Sequence, residues 1–209
     1  MPTPLLYYIH DPMCSWCWAY APVLEQIRRA LNSQLDIVNV LGGLAADSDE
    51  PMPQPMREQI EGYWRRIEKE VGTEFNFKFW HSEEVTPKRS TYMACRAVIA
   101  AALQDAEDAM IEAIQKAYYL RAMSPSEEDT LLQLADELGL DFDRFMHDLS
   151  SVEVEEALQQ QITFARALPI QGFPSWVLLV NEQVFPIPVD YHSAQNTLAR
   201  ITEVLKAHR

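Results

Sequence analysis

The chain has 209 residues, 48% of them hydrophobic, with 13 prolines and six glycines. That is the size of one domain, or of one domain carrying a large insertion, and the composition excludes a disordered or fibrous chain. Seventeen basic against 31 acidic side chains leave a net charge of −14, which repels phosphate backbones and anionic bilayers and argues against nucleic-acid or membrane partners.

Three cysteines are an odd number and argue against a structural disulfide framework. The opening Met1-Pro2-Thr3-Pro4 has neither the basic stretch nor the long apolar run of a secretory leader. No apolar run reaches the roughly 20 residues of a membrane span. The expected location is cytoplasmic, where a CxxC pair is more often catalytic or metal-binding than structural.

Leu5–His10 reads as a buried strand, broken by Asp11-Pro12-Met13. Cys14-Ser15-Trp16-Cys17 follows, and from Trp18 to about Leu31 the apolar residues Trp18, Ala21, Leu24, Ile27 and Leu31 recur at helical spacing. Pro22 falls inside this helix and predicts a kink. Leu35–Leu41 reads as a second strand ended by Gly42-Gly43, giving a parallel βαβ unit with a right-handed crossover.

From Pro51 to Leu168 the signals are almost all helical. Met56–Val71 is amphipathic. Thr86-Pro87 predicts the start of a helix running through Cys95 to about Leu103. Ser124-Pro125-Ser126-Glu127 reads as a capping box for a helix that stops at Gly139. Asp141 caps a short helix to Leu149, and Val152–Leu168 is another. Strand character returns at Trp176–Val180, Asn181-Glu182 turns the chain, and Gln183–Phe185 pairs back. Pro186 and Pro188 suit a sheet edge. Asp190 reads as the cap of a final helix to about Ala207. The order βαβ, helical block, ββα describes an α/β fold.

Cys14 and Cys17, at i and i+3, lie on one helix face within reach of a small-ring disulfide. Cys14 falls at the helix N-terminus, where unpaired N–H groups and the macrodipole favour a thiolate. A cysteine there has its pKa lowered from ~8.5 into the range of roughly 3.5–7.5, and a low-pKa thiol with a resolving partner is what thiol–disulfide exchange requires. The second chemical feature is Gly172-Phe173-Pro174-Ser175-Trp176. Pro174 opens the third strand of a fold whose first helix begins with CxxC, which points to a cis Phe173–Pro174 bond beside the cysteines.

These features resemble the DsbA-like family of thioredoxin-fold proteins, in which a helical domain is inserted into a thioredoxin core. Cys14-Ser15-Trp16-Cys17, Pro22 at the offset thioredoxins use, the Gly172-Phe173-Pro174 loop and the helical block carry the resemblance. His10-Asp11-Pro12-Met13-Cys14-Ser15-Trp16-Cys17-Trp18 is similar to the cytoplasmic FrnE-like and predicted disulfide-isomerase branch. The resemblance implies a thioredoxin-like domain of residues 1–46 and 169–209 around an inserted helical domain, 47–168. It implies that Cys14 is an exposed nucleophile forming a mixed disulfide with a protein or peptide substrate. Cys17 resolves that disulfide, and cis Pro174 presents the Phe173 backbone to an extended substrate chain. Glutathione or another cellular thiol is then a co-substrate, with no bound cofactor. Two departures stand out: Ser15-Trp16 lacks the histidine of the oxidising periplasmic enzymes, and Tyr8 replaces a buried acid six residues before the first cysteine. Proton transfer then falls to Asp11 or His10, which strand alternation points to opposite sides.

Trp16, Phe173 and Gly172 flank the Cys14 sulfur as expected substrate contacts, whereas Trp18, Trp176 and Cys95 read as core. The Arg65-Arg66 and Lys88-Arg89 pairs read as solvated helix faces, and the five histidines show no metal-ligand spacing with each other. Two other readings stay open. One is a glutathione-dependent transferase or isomerase of the kappa-class type, in which a serine commonly takes the first cysteine's place. The other is a chaperone-like binder.

Overall fold

The computed structural model describes residues 3–32 and 34–208. Met1, Pro2 and Arg209, which the two-part division above includes at its ends, lie outside the described residues. The elements run β1 (Leu5–His10), α1 (Ser15–Leu31), β2 (Asp36–Leu41), α2 (Gln54–Val71), α3 (Lys78–His81) and α4 (Tyr92–Ala102). They continue with α5 (Glu107–Tyr119), α6 (Glu128–Glu137), α7 (Phe142–Leu149), α8 (Val152–Ala167), β3 (Ser175–Val180), β4 (Gln183–Ile187) and α9 (Ala194–Ala207). The fold is α/β, with helices α2–α8 between β2 and β3.

The sheet order is β2-β1-β3-β4. β1 is parallel to β2, with Leu6 opposite Ile37, and antiparallel to β3, with Leu6 opposite Leu178. β4 runs antiparallel to β3 at the edge, where Pro186 opposite Val177 continues the strand to Ile187; an edge tolerates the missing N–H. Period-2 alternation splits the apolar residues between two faces. Leu6, Tyr8, Trp176 and Leu178 pack with Tyr20, Val23 and Ile27 of α1 and with Ile201 and Val204 of α9. Ile9, Val40 and Val177 face the other way, against Ala165 of α8.

The helical block has its own core, centred on Trp64, which is fully buried. Its ring stacks on Phe75 at 5.0 Å and meets Trp80, Tyr118 and Tyr119 edge-on at 5.0, 5.3 and 5.2 Å. α4 passes through this core on a run of small side chains, Ala94, Cys95, Ala97, Ala100 and Ala101, all fully buried. Met13, Ala19 and Leu41 belong to the same apolar cluster, so the helical block packs onto the segment that carries the CxxC.

Several boundaries differ from the sequence expectation. Thr86-Pro87 starts no helix. The Pro87 carbonyl accepts from Met52 N–H at 2.7 Å and Lys88 bridges Pro51, which keeps the segment extended until Thr91 precedes α4. The Ser124–Glu127 capping box is not formed: Ser124 Oγ is buried without a partner among the described residues, Ser126 Oγ donates to the Ser90 carbonyl at 2.7 Å, and α6 begins at Glu128 without a side-chain cap. Asp190 accepts from the N–H groups of His192 and Ser193, holding the preceding turn, while Ser193 caps α9. Asp141 and Ser151 cap α7 and α8. α1 begins at Ser15, earlier than its apolar periodicity, and continues through Pro22 to Leu31.

Candidate functional site

β1 delivers His10 to the sheet end, and Asp11-Pro12-Met13 turns the chain into α1. Two bonds fix the turn: Cys14 N–H donates to the Asp11 carbonyl at 3.0 Å, and Met13 N–H donates to Asp11 Oδ1 at 2.8 Å. Cys14 is the N-cap of α1, in extended conformation, and its carbonyl accepts the first helical bond from Trp18 at 3.0 Å. The helix-end N–H groups are therefore free to face a negative sulfur.

The two thiols are set apart electrostatically. The Cys14 thiol is held below its ordinary pKa, first by a hydrogen bond from the Cys17 thiol and further by the N–H groups of Cys17 and Trp16, against the opposing effect of burial. Cys17, 1% exposed, is pushed well up by burial and by the neighbouring Cys14 sulfur. Deprotonation thus falls on Cys14, with Cys17 as donor. All three cysteines are free thiols.

The 173–174 peptide bond is cis, and the Phe173 carbonyl accepts from Cys14 Sγ at 3.6 Å. Pro174 is buried and leads into β3, Phe173 is half-buried, and exposed Gly172 gives its carbonyl to Ser175 Oγ at 2.7 Å. This loop corrects one expectation: Cys14 is not an exposed residue. It is 6% exposed, because its sulfur faces the cis-proline loop rather than solvent.

Asp11 and His10 go to different places. Asp11 is fully buried, and its carboxylate accepts four hydrogen bonds: from Met13 N–H on Oδ1, and on Oδ2 from Leu44 N–H at 2.7 Å, Thr91 Oγ1 at 2.7 Å and Cys95 Sγ at 3.6 Å. Burial raises its pKa, and the donors oppose that rise. Its backbone N–H faces the Cys17 sulfur, and its charge acts on both Cys14 and Cys17. His10 instead stacks on Tyr8 at 5.1 Å, and both ring nitrogens are buried without a hydrogen-bond partner. Its charged neighbours are Arg28 and Asp108, not the sulfurs, and burial followed by the Arg28 charge lowers its pKa to about 3.

Half-buried Trp16 packs on Tyr191 at 5.1 Å, with the Arg66 guanidinium 5.7 Å from its ring. Tyr191 and Arg66 were not legible as neighbours of the site: one lies in the turn before α9 and the other in a pair read as a plain helix face. The side chains of Arg65 and Arg66 are 61% and 62% exposed, yet Arg65 also lies over a ring, that of Phe77. Lys88 departs further, with its ammonium held by Glu127 at 3.0 Å. Trp176 is core, its indole N–H donating to Tyr20 Oη at 3.0 Å. Trp18 stacks on Tyr119 and donates to the Glu74 carbonyl at 3.1 Å. Among the described residues no group of three or more His, Cys, Asp or Glu is placed to hold a metal ion, and no helix is long and apolar enough to cross a membrane.

A family model described as thioredoxin matches residues 7–185. The ClpXP adapter protein SpxH of Halalkalibacterium halodurans is 25% identical over 191 residues, covering 86% of this chain and 59% of that protein. The chain thus spans about six-tenths of the length of this curated relative. A candidate protein disulfide isomerase of Nitrosomonas europaea superimposes with a TM-score of 0.87 at 28% identity, covering 100% of both chains. The cytosolic disulfide reductase DsbM of Pseudomonas aeruginosa superimposes at 0.78 and 24% identity, covering 97% of this chain and 99% of that one. A thioredoxin match across most of the length, with a helical block between the second and third strands, means that the chain belongs to the thioredoxin family and carries the DsbA-like form of its fold.

Proposed function

We propose that the protein is a thiol–disulfide oxidoreductase that reduces or isomerises protein disulfides through Cys14 and Cys17. The observation that carries the reading is a thiol of lowered pKa at a helix N-cap, 3.6 Å from the backbone carbonyl of a cis-proline loop. The Cys14 thiolate attacks one substrate sulfur, the substrate S–S bond breaks, and the departing sulfur takes up a proton. Cys17, once deprotonated, attacks the Cys14 sulfur of the mixed disulfide. The second substrate thiol leaves, and the Cys14–Cys17 disulfide holds the two oxidising equivalents. A cellular thiol such as glutathione returns the pair to the dithiol. Trp16, Phe173 and Gly172 contact the substrate chain, and Pro174 keeps the Phe173 carbonyl aimed at it. Asp11, whose charge reaches both sulfurs, assists proton movement at Cys17; His10, turned to Arg28, does not.

Ser15-Trp16 places no cation between the cysteines to hold a thiolate, which favours reduction or isomerisation over net oxidation. The name of DsbM, a cytosolic disulfide reductase also solved with GSH, supports that direction and a cytoplasmic location. The deciding experiment equilibrates the protein in glutathione buffers and reads the Cys14–Cys17 state by mass spectrometry. A potential at or below the cytosolic pool, about −220 to −320 mV, supports the reading, together with loss of insulin reduction in Cys14→Ser. A pair that forms no reversible disulfide overturns it. The adapter name of the curated relative favours a second reading, a protein-binding role independent of redox turnover. It predicts client binding that survives in the Cys14→Ser, Cys17→Ser double variant.

A further inference from the structure

β2 ends in two glycines that are needed for different reasons. Gly43 has φ +62, a backbone conformation that favours glycine. Gly42 lies outside that region, so what it supplies is room. A Cβ built on Gly42 would fall 2.0 Å from Cζ and 2.1 Å from Cε1 of Phe173, and 2.9 Å from Cε2. Ordinary contact begins at 3.4 Å, so a methyl group there forces the ring tip to retreat by more than an ångström, or forces Gly42 to move. Gly42 is poorly placed to move, because its N–H donates to the His10 carbonyl at 2.7 Å, continuing the β1–β2 ladder next to Asp11. The ring is the part that yields. It opens onto a surface pocket of about 290 Å³ that it shares with Ala165, Leu168, Ile170 and Gly172. The same residue supplies the carbonyl that accepts from Cys14 Sγ at 3.6 Å, so whatever part of the ring's retreat the Phe173 backbone takes up lengthens a contact already near the limit for a hydrogen bond to sulfur.

We propose that Gly42 is a positioning residue of the dithiol site: its bare Cα seats the Phe173 ring, and that seat sets the Phe173 carbonyl against the Cys14 thiol. Gly42 touches no reacting atom and acts through Phe173. The carbonyl accepts from the neutral thiol and so opposes ionisation. Displacing Phe173 therefore makes Cys14 more acidic, and it also shifts the backbone that the proposed substrate chain lies against. The functional half of this inference rests on the oxidoreductase reading; the geometric half does not.

The test is a double-mutant cycle of Gly42→Ala and Phe173→Ala. Two readouts are used: the pH midpoint of Cys14 alkylation, and KM and kcat for reduction of a disulfide-bonded peptide. In Gly42→Ala the midpoint falls, and KM rises about 10- to 100-fold, more than kcat falls. With the ring already removed in Phe173→Ala, adding Gly42→Ala changes neither quantity. Equal effects of Gly42→Ala in both backgrounds, or no effect on the wild type, overturn the proposal. If Gly42→Ala alone does not fold, the double variant must, since the ring is the obstacle; a double variant that also fails to fold overturns it. The alkylation midpoint needs no disulfide turnover, so a chain without redox activity sinks the oxidoreductase reading while leaving the seat of Phe173 testable.

Discussion

Cys14 Sγ and the Phe173 carbonyl oxygen lie 3.6 Å apart across 159 positions of sequence. The whole helical block is strung between them, so the site exists only when β1 and β3 have paired at the centre of the sheet. The Cys14 thiol is poised on one side by a helix end and on the other by an acceptor that meets its protonated form.

The Cys17 thiol is the first cause of the lowered Cys14 pKa, so removing that donor must raise it. Cys17→Ala shifts the pH midpoint of Cys14 alkylation by iodoacetamide upward, whereas Cys17→Ser, which keeps a hydroxyl donor, preserves a low midpoint. An unchanged midpoint in Cys17→Ala sinks the assignment.

Asp11→Ala leaves the Met13 and Leu44 N–H groups without their side-chain acceptor and the Thr91 hydroxyl with only the Ala45 carbonyl at 3.3 Å. Loss of a buried hub of this kind destabilises by roughly 3–5 kcal/mol, read as a shift in the urea midpoint. Asp11→Asn loses less stability and removes a negative charge that adds to the effects of burial and of Cys14 on Cys17. Both thiols become more acidic and the pair becomes more oxidising in glutathione buffer. A more reducing pair would contradict the charge argument.

His10 supplies an acid-sensitivity prediction. In the unfolded chain its imidazole titrates near 6.5; in the fold, burial and then the Arg28 charge hold it at about 3. Between those values the unfolded chain binds the extra proton. The contribution of His10 to stability is therefore complete above the unfolded pKa and is lost as pH falls from about 6.5 toward 3, on the order of 2–5 kcal/mol in total. His10→Phe, which can still stack on Tyr8, flattens that acid limb in urea titrations at pH 7, 5 and 4. Parallel losses in variant and wild type would exclude His10 as the cause.

Cys95 is fully buried, and burial followed by the Asp11 charge pushes its thiol well up. Native alkylation followed by peptide mapping labels Cys14 and leaves Cys95 unmodified. Cys95→Ala costs about 1 kcal/mol, the scale of a methyl-sized void and one weak hydrogen bond. Labelling of Cys95 at the rate of Cys14 would refute its inert placement.

The CxxC at a strand–helix junction and the proline opening β3 were legible because each depends on local sequence in an ordered series of elements. Periodicity likewise placed α2, and the apolar runs at Leu5–His10 and Trp176–Val180 placed β1 and β3. What local sequence could not show is competition from distant partners. Ser124 reads as a cap until the fold buries its hydroxyl away from any helix end, and Pro87 reads as a helix start until Met52 donates to it. Asp11 is a routine turn former by its neighbours, and only the fold brings Leu44, Thr91 and Cys95 to its carboxylate. Gly42 carries no signal at all, since its demand for space comes from a ring 131 positions away in the numbering.

Met13, the residue immediately before Cys14, is 7% exposed and sits among the apolar side chains of the helical block. A chain trimmed of α2–α8 would strand Met13, Ala19 and Leu41 in water and strip Asp11 of its Thr91 and Cys95 donors. The helices are thus the foundation of the reactive turn rather than an appendage to a self-sufficient minimal sheet. Any loosening of their packing will be transmitted to Cys14 through its own neighbour before it disturbs the far strands.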